Sequence, residues 1–151
     1  MSDIFSLILN TPVEFKEIAY LMFQGGGLGN EVMFEDTHDG IMAFVDGYYF
    51  GVDIYHLHQW DKQYWQELYE IPFNIRVSMQ ALEGFREFTL KGMLNIIHSI
   101  QGNAVLNEDE QVLLLRKNGQ LILNDDSGYK WEAEELKLVT LPYTREYIKR
   151  E

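Results

Sequence analysis

Three dipeptides, Asp39-Gly40, Asp46-Gly47 and Asn118-Gly119, lie between runs rich in strand-forming residues. Such pairs accept the positive backbone angles of tight hairpin turns, so each predicts two neighbouring strands that run antiparallel. Around the first two, residues 31–36, 41–45 and 48–56 read as a three-strand meander. Around the third, Gln111 to Lys117 and Gln120 to Asn124 form a hairpin, preceded by a strand over Asn103 to Leu106. Between these groups Phe73, Ile75, Val77 and Met79 alternate with Asn74, Arg76, Ser78 and Gln80, the period of a half-buried strand. The apolar run Asp3 to Asn10 reads as a buried strand.

Helical spacing occurs in two long segments. Phe15, Ile18, Ala19 and Met22 form one apolar stripe, and Thr11-Pro12-Val13-Glu14 has the composition of a capping box, with Gly25 available as a left-handed C-cap. Phe85, Phe88, Thr89, Met93, Ile96, Ile97 and Ile100 mark a second helix over Gly84 to Gln101, with Asn95 on its outer face, closing at Gly102. A short helix near Asp61 is expected within Leu57 to Glu70, and a docked terminal helix within Tyr143 to Glu151. The order lacks regular βαβ alternation. The expected fold is therefore α+β, a two-layer arrangement with a mainly antiparallel sheet and two principal helices packed on it, over residues 1–151 as one domain.

Charge is unevenly placed. The chain has 24 acidic and 12 basic residues, a net charge of −12. Residues 31–70 hold nine carboxylates against the single Lys62, so that segment alone carries −8. The same segment contains Tyr48, Tyr49, Phe50, Tyr55, Trp60, Tyr64, Trp65 and Tyr69. An acidic surface with large aromatics suits a basic protein partner and would repel the phosphates of nucleic acid. The absence of cysteine excludes disulfides, thiolate zinc sites and cysteine nucleophiles, and is compatible with the cytoplasm. Asp3 stands where an export signal needs positive charge, and the first apolar run stops at Asn10, so neither a signal peptide nor a membrane span is expected.

Catalytic motifs are weak throughout. Gly25-Gly26-Gly27-Leu28-Gly29-Asn30 ends a helix and enters a strand, the reverse of a phosphate loop, and lacks the following Lys-Ser/Thr. Asp53, His56, His58 and Asp61 have metal-ligand side chains, and histidines two apart on a strand would share a face, which leaves a metal-dependent enzyme as an alternative. Sequence reading expects no metal or other cofactor there, the bland alternative being a polar turn. His98 beside the second apolar stripe reads as a hydrogen-bonded core-edge residue. No serine lies in a Gly-X-Ser-X-Gly elbow. Asp125-Asp126-Ser127-Gly128 is a fragment of a calcium loop without its later glutamate, and Tyr129 and Trp131 beside it would be partner anchors if exposed and core if buried.

The helix Phe85 to Gln101, the run Gly102-Asn103-Ala104-Val105-Leu106, the strand Val112-Leu113-Leu114-Leu115-Arg116, Leu121-Ile122-Leu123-Asn124 and the downstream Trp131 resemble the immunity proteins of bacterial polymorphic toxin systems, particularly those paired with swarming-inhibition or contact-delivered toxins. The resemblance covers roughly residues 75–131. It implies a small cytoplasmic protein, not an enzyme, that neutralises a cognate toxin by binding it. Joined to the charge pattern, it points to a basic toxin domain such as a nuclease, with Trp60, Asp61, Trp65, Glu67, Asp125, Asp126, Tyr129 and Trp131 as the expected contact residues. A structural subunit of a bacterial assembly is the remaining alternative, its acids only a solubilising face.

Overall fold

The computed structural model describes residues 3–28, 31–45, 51–125 and 131–149. Along the chain run β1 (Asp3–Leu9), α1 (Phe15–Gly25), β2 (Val32–Asp36), β3 (Gly40–Val45), β4 (Gly51–His56), α2 (Gln59–Tyr69) and β5 (Ile75–Ala81). There follow α3 (Arg86–Ser99), β6 (Ala104–Glu108), β7 (Gln111–Lys117), β8 (Gln120–Asn124), the short α4 (Ala133–Leu136) and β9 (Thr144–Glu146). The strands described form one sheet in the order β2-β3-β4-β5-β1-β6-β7-β8-β9, antiparallel except for the parallel β8–β9 pair.

The hairpin signals meet different fates. Asn118 and Gly119 both have positive φ, 52° and 82°, as a two-residue type I′ turn between β7 and β8 requires. Asp39-Gly40 does not make that turn. The link spans Thr37 to Asp39, the Thr37 amide donates to the Gly40 carbonyl at 3.0 Å, and Gly40 already pairs with Tyr55 in the sheet. Asp46-Gly47 lies outside the described residues.

Strand alternation sends side chains to both faces of the sheet, and both faces are apolar in part. On one face Phe5, Leu7 and Leu9 of β1 and Ile75, Val77 and Met79 of β5 join the buried sides of α1 and α3 in the larger core. These helices touch closely because Gly92 lacks a side chain where a Cβ would come within 2.5 Å of the Met22 carbonyl oxygen. The Asn95 amide Nδ2 donates to the Leu21 carbonyl at 2.7 Å across the same contact, so Asn95 is an interface residue and not the outer-face residue the apolar stripe implies. On the other face Ile8, Val105, Val112 and Leu115 meet Leu68 and Tyr69 of α2 and Ile148 near the carboxy terminus. Helices thus lie against both faces, α1 and α3 on one and α2 on the other.

Three local expectations also change. Helix α1 begins at Phe15 after Glu14, whose side chain makes no cap hydrogen bond, so there is no capping box at Thr11. Thr11 is instead held to Asn74: its amide donates to Asn74 Oδ1 at 3.0 Å, and Asn74 Nδ2 donates to its carbonyl at 2.8 Å. Gly25 is the last residue of α1 and not its left-handed cap; the cap position is Gly26, at φ −86°. The terminal segment forms the short strand β9, with no helix among its described residues. At the end of α3 the Arg116 guanidinium donates to three carbonyls, those of Gly102 and Ile97 at 2.6 Å and of Ile100 at 2.5 Å. It satisfies acceptors that a helix end leaves open, and its charge suits the negative end of the helix dipole.

Candidate functional site

Helix α2 divides by angle. At 100° per residue, Trp60 and Glu67 fall on one side, and Asp61 and Trp65 on another that turns toward Leu68 and the sheet. Trp60 is accordingly 73% exposed. Glu67 is exposed and accepts from Gln63 Nε2 at 3.0 Å. Asp61 is half-buried, and half-buried Trp65 stacks on Tyr69 at 6.1 Å between ring centres and meets Tyr64 edge-on at 5.1 Å. The Tyr69 hydroxyl donates to the Lys149 carbonyl at 2.8 Å; burial, with Tyr64 and Tyr147 adding to it, pushes this phenol above its ordinary range.

Beneath α2 the sheet face is polar, and a groove of about 770 Å³ opens there. Ser6 on β1 stands directly opposite Ser78 on β5 and Asn107 on β6, and Arg76 lies two residues from Ser78 on the same face, opposite Ile8. These four form the floor. Tyr64 and Trp65 from α2 and the exposed Tyr147 form aromatic walls, with Asp109 and Glu110 at the β6–β7 end. Arg76 Nε is buried and, among the described residues, has no hydrogen-bond partner. The volume lies within the range of small-molecule and side-chain binding sites.

The remaining expected contact residues scatter. Trp131 is 4% exposed, and its Nε1 donates to the Leu113 carbonyl at 3.0 Å, so it closes the core and is removed from the contact surface. Exposed Asp125 lies 3.5 Å from Arg145 Nη2. Asp126 and Tyr129 lie outside the described residues, as do Tyr48, Tyr49 and Phe50.

For a metal the geometry is unfavourable. Strand β4 ends at His56, so His56 and His58 lose the shared face that a continuous strand would give them. The His56 ring packs on Phe15 at 4.7 Å, while His58 Nε2 faces Asp39 at 3.5 Å. Among the described residues no group of three or more His, Asp or Glu side chains could hold a metal ion. Burial raises the Asp53 carboxyl, and the charge of Asp39 raises it further. His98 does accept a hydrogen bond, from the Thr140 amide at 3.3 Å, and its imidazole is shifted down by burial and then by the Arg116 charge.

Arg76 and Ser78 were legible only as the polar half of an alternating pattern, which reads as a solvent face, while Ser6 lay in a run read as buried and Asn107 just past the strand expected over Asn103 to Leu106. Nothing in a single strand shows that a helix and the chain terminus wall that face into a groove. No protein-family model, curated protein or solved structure matches the chain.

Proposed function

We propose that the protein is a non-catalytic binding protein, an immunity protein that neutralises a cognate bacterial toxin in the cytoplasm. The toxin surface it meets is basic, as in a nuclease domain. The observation that carries this reading is Trp60, 73% exposed on a helix that also bears Asp61 and Glu67 and is followed by the exposed Glu70 at its C-cap. A large indole held in water offers contact area at little rotamer cost, and such residues dominate binding energy when a partner buries them. The net charge of −12 supports fast capture of a basic domain, and the nine carboxylates of residues 31–70 support occupation of a site built to attract phosphates. In this reading α1 and α3 with the sheet make the two-layer frame, and α2 on the opposite face is the element left to meet the partner. Neither nucleic acid nor a membrane is a partner in it; no helix among the described residues is long and apolar enough to cross a bilayer.

The test is to sequence the flanking genes for a toxin domain and, with that domain, to carry out co-expression followed by calorimetry on the purified pair; flanking genes that encode no toxin count against the reading. Growth is rescued and a complex forms if the reading holds. A toxin that kills equally with and without the protein, and does not bind it, refutes the reading.

A further inference from the structure

Among the described residues the other arginines have partners. Arg86 pairs with Glu108 at 2.7 Å and with Glu135, and Arg116 is satisfied by three carbonyls. Arg76 differs. It lies in a chain with twice as many acids as bases, yet among the described residues its guanidinium has no carboxylate or carbonyl partner, and its Nε is buried. Leaving a buried donor unsatisfied forfeits its hydration with nothing in return, and the cost is larger when the group is charged. A carboxylate accepting from the guanidinium fork removes that cost with the best geometry available to arginine.

From these contacts we infer that the groove under α2 is a binding site for a small monocarboxylate with a flat apolar body. The carboxylate sits at Arg76, where Ser6, Ser78 and Asn107 supply further donors. Direct cross-strand neighbours have Cβ atoms about 5 Å apart, so Ser6, Ser78 and Asn107 can reach one small group together. None of the three makes a side-chain hydrogen bond among the described residues. The apolar body lies against Trp65, Tyr64 and Tyr147, of which Tyr147 is 68% exposed.

Charge selects a monoanion over phosphate. Asp109, whose Oδ1 accepts from the Ile4 amide, marks the far end of the groove. Arg76 pairs with Ile8, four residues along β1 from Ile4, a separation of about 13 Å at strand rise. Among the described residues Arg76 makes no ion pair, although Asp53 stands directly opposite Ser78 on β4; this acid and the rim acids add to a field that penalises a second negative charge on the ligand. The site does not rest on the proposed toxin partner, whose basic surface Arg76 would repel.

The probes are phenylacetate and indole-3-acetate, with 2-phenylethanol as the neutral analogue and inorganic phosphate as the dianion, titrated into the full chain by calorimetry and by amide NMR. Both carboxylates should bind and shift the amides of Ser6, Ser78 and Asn107, with phenylethanol and phosphate at least about tenfold weaker. Arg76→Gln should weaken the carboxylates by about tenfold or more, and a melting curve reports whether this variant is folded. If it is not folded, the comparison of phenylacetate with phenylethanol on the wild-type protein decides the matter. No heat and no amide shifts at about 10 mM phenylacetate would overturn the proposal. So would equal binding by folded Arg76→Gln, or phosphate binding as tightly as the carboxylates.

Discussion

Replacing Arg116 by methionine should be among the most damaging single changes in this protein. The side chain is 7% exposed, and its guanidinium spans the three carbonyls at the end of α3 at 2.5–2.6 Å. Hydrogen bonds to a charged group contribute about 1.5–3 kcal/mol each, but they are not independent, and removing the arginine also removes the cost of burying its charge. Burial does act on that charge, lowering the guanidinium pKa from its ordinary value. Methionine fills a similar volume, so the loss is chiefly electrostatic: three carbonyls lose their donor and the negative end of the helix dipole loses its cation. The expected destabilisation is about 3–5 kcal/mol, with Arg116→Lys intermediate because a single ammonium cannot span three acceptors. Urea unfolding read by circular dichroism measures it. The same variant should raise the His98 pKa by NMR titration, since Arg116 helps to hold it down. A loss under about 1 kcal/mol with an unmoved His98 pKa would refute the claim that Arg116 closes the helix.

Trp60→Ala should leave the melting temperature nearly unchanged and weaken partner binding by about 2 kcal/mol or more, whereas Trp131→Ala should cost roughly 3–5 kcal/mol of stability; thermal melts with calorimetry separate the two. Partner association measured by stopped flow should slow as salt rises, because exposed charges are screened beyond about 8 Å at physiological ionic strength, and a salt-independent on-rate removes the steering argument. Ile97→Ala should cost about 2–5 kcal/mol and Asn95→Ala about 1–3 kcal/mol, the latter through the stranded Leu21 carbonyl; urea midpoints check both. His98 is held below its ordinary value of 6.5 when folded. As pH falls below about 6.5 the unfolded chain therefore takes up this proton first, and stability drops until the folded pKa is passed. Wild type should lose more stability than His98→Gln between about pH 7.5 and 5.5.

Local chemistry determined the elements of this protein. The period-two run 73–80, the stripe from Phe85 to Ile100 and Asn118-Gly119 are each decided by neighbours a few residues away, so strand, helix and turn were legible without knowing what they pack against. The exposed position of Trp60 also follows from helical phase once α2 exists. The start of α1 was not legible, because Thr11 is claimed by Asn74, 63 residues away, before it can cap a helix. Trp131 could have been anchor or core; the Leu113 carbonyl that binds its indole belongs to a strand 18 residues upstream. The terminal residues had helical composition, yet the free edge of β8 made strand pairing available, and an unpaired edge recruits whatever backbone can reach it. The groove is the clearest case. Alternation placed Arg76 and Ser78 on one face of a strand, but only the register of β1 between β5 and β6 brings Ser6 and Asn107 beside them. Only the packing of α2 and Tyr147 over them turns a wet sheet face into a walled site. Whether a charge is balanced is a property of that long-range arrangement, which is why the buried Arg76 Nε without a partner among the described residues could not be seen in the sequence.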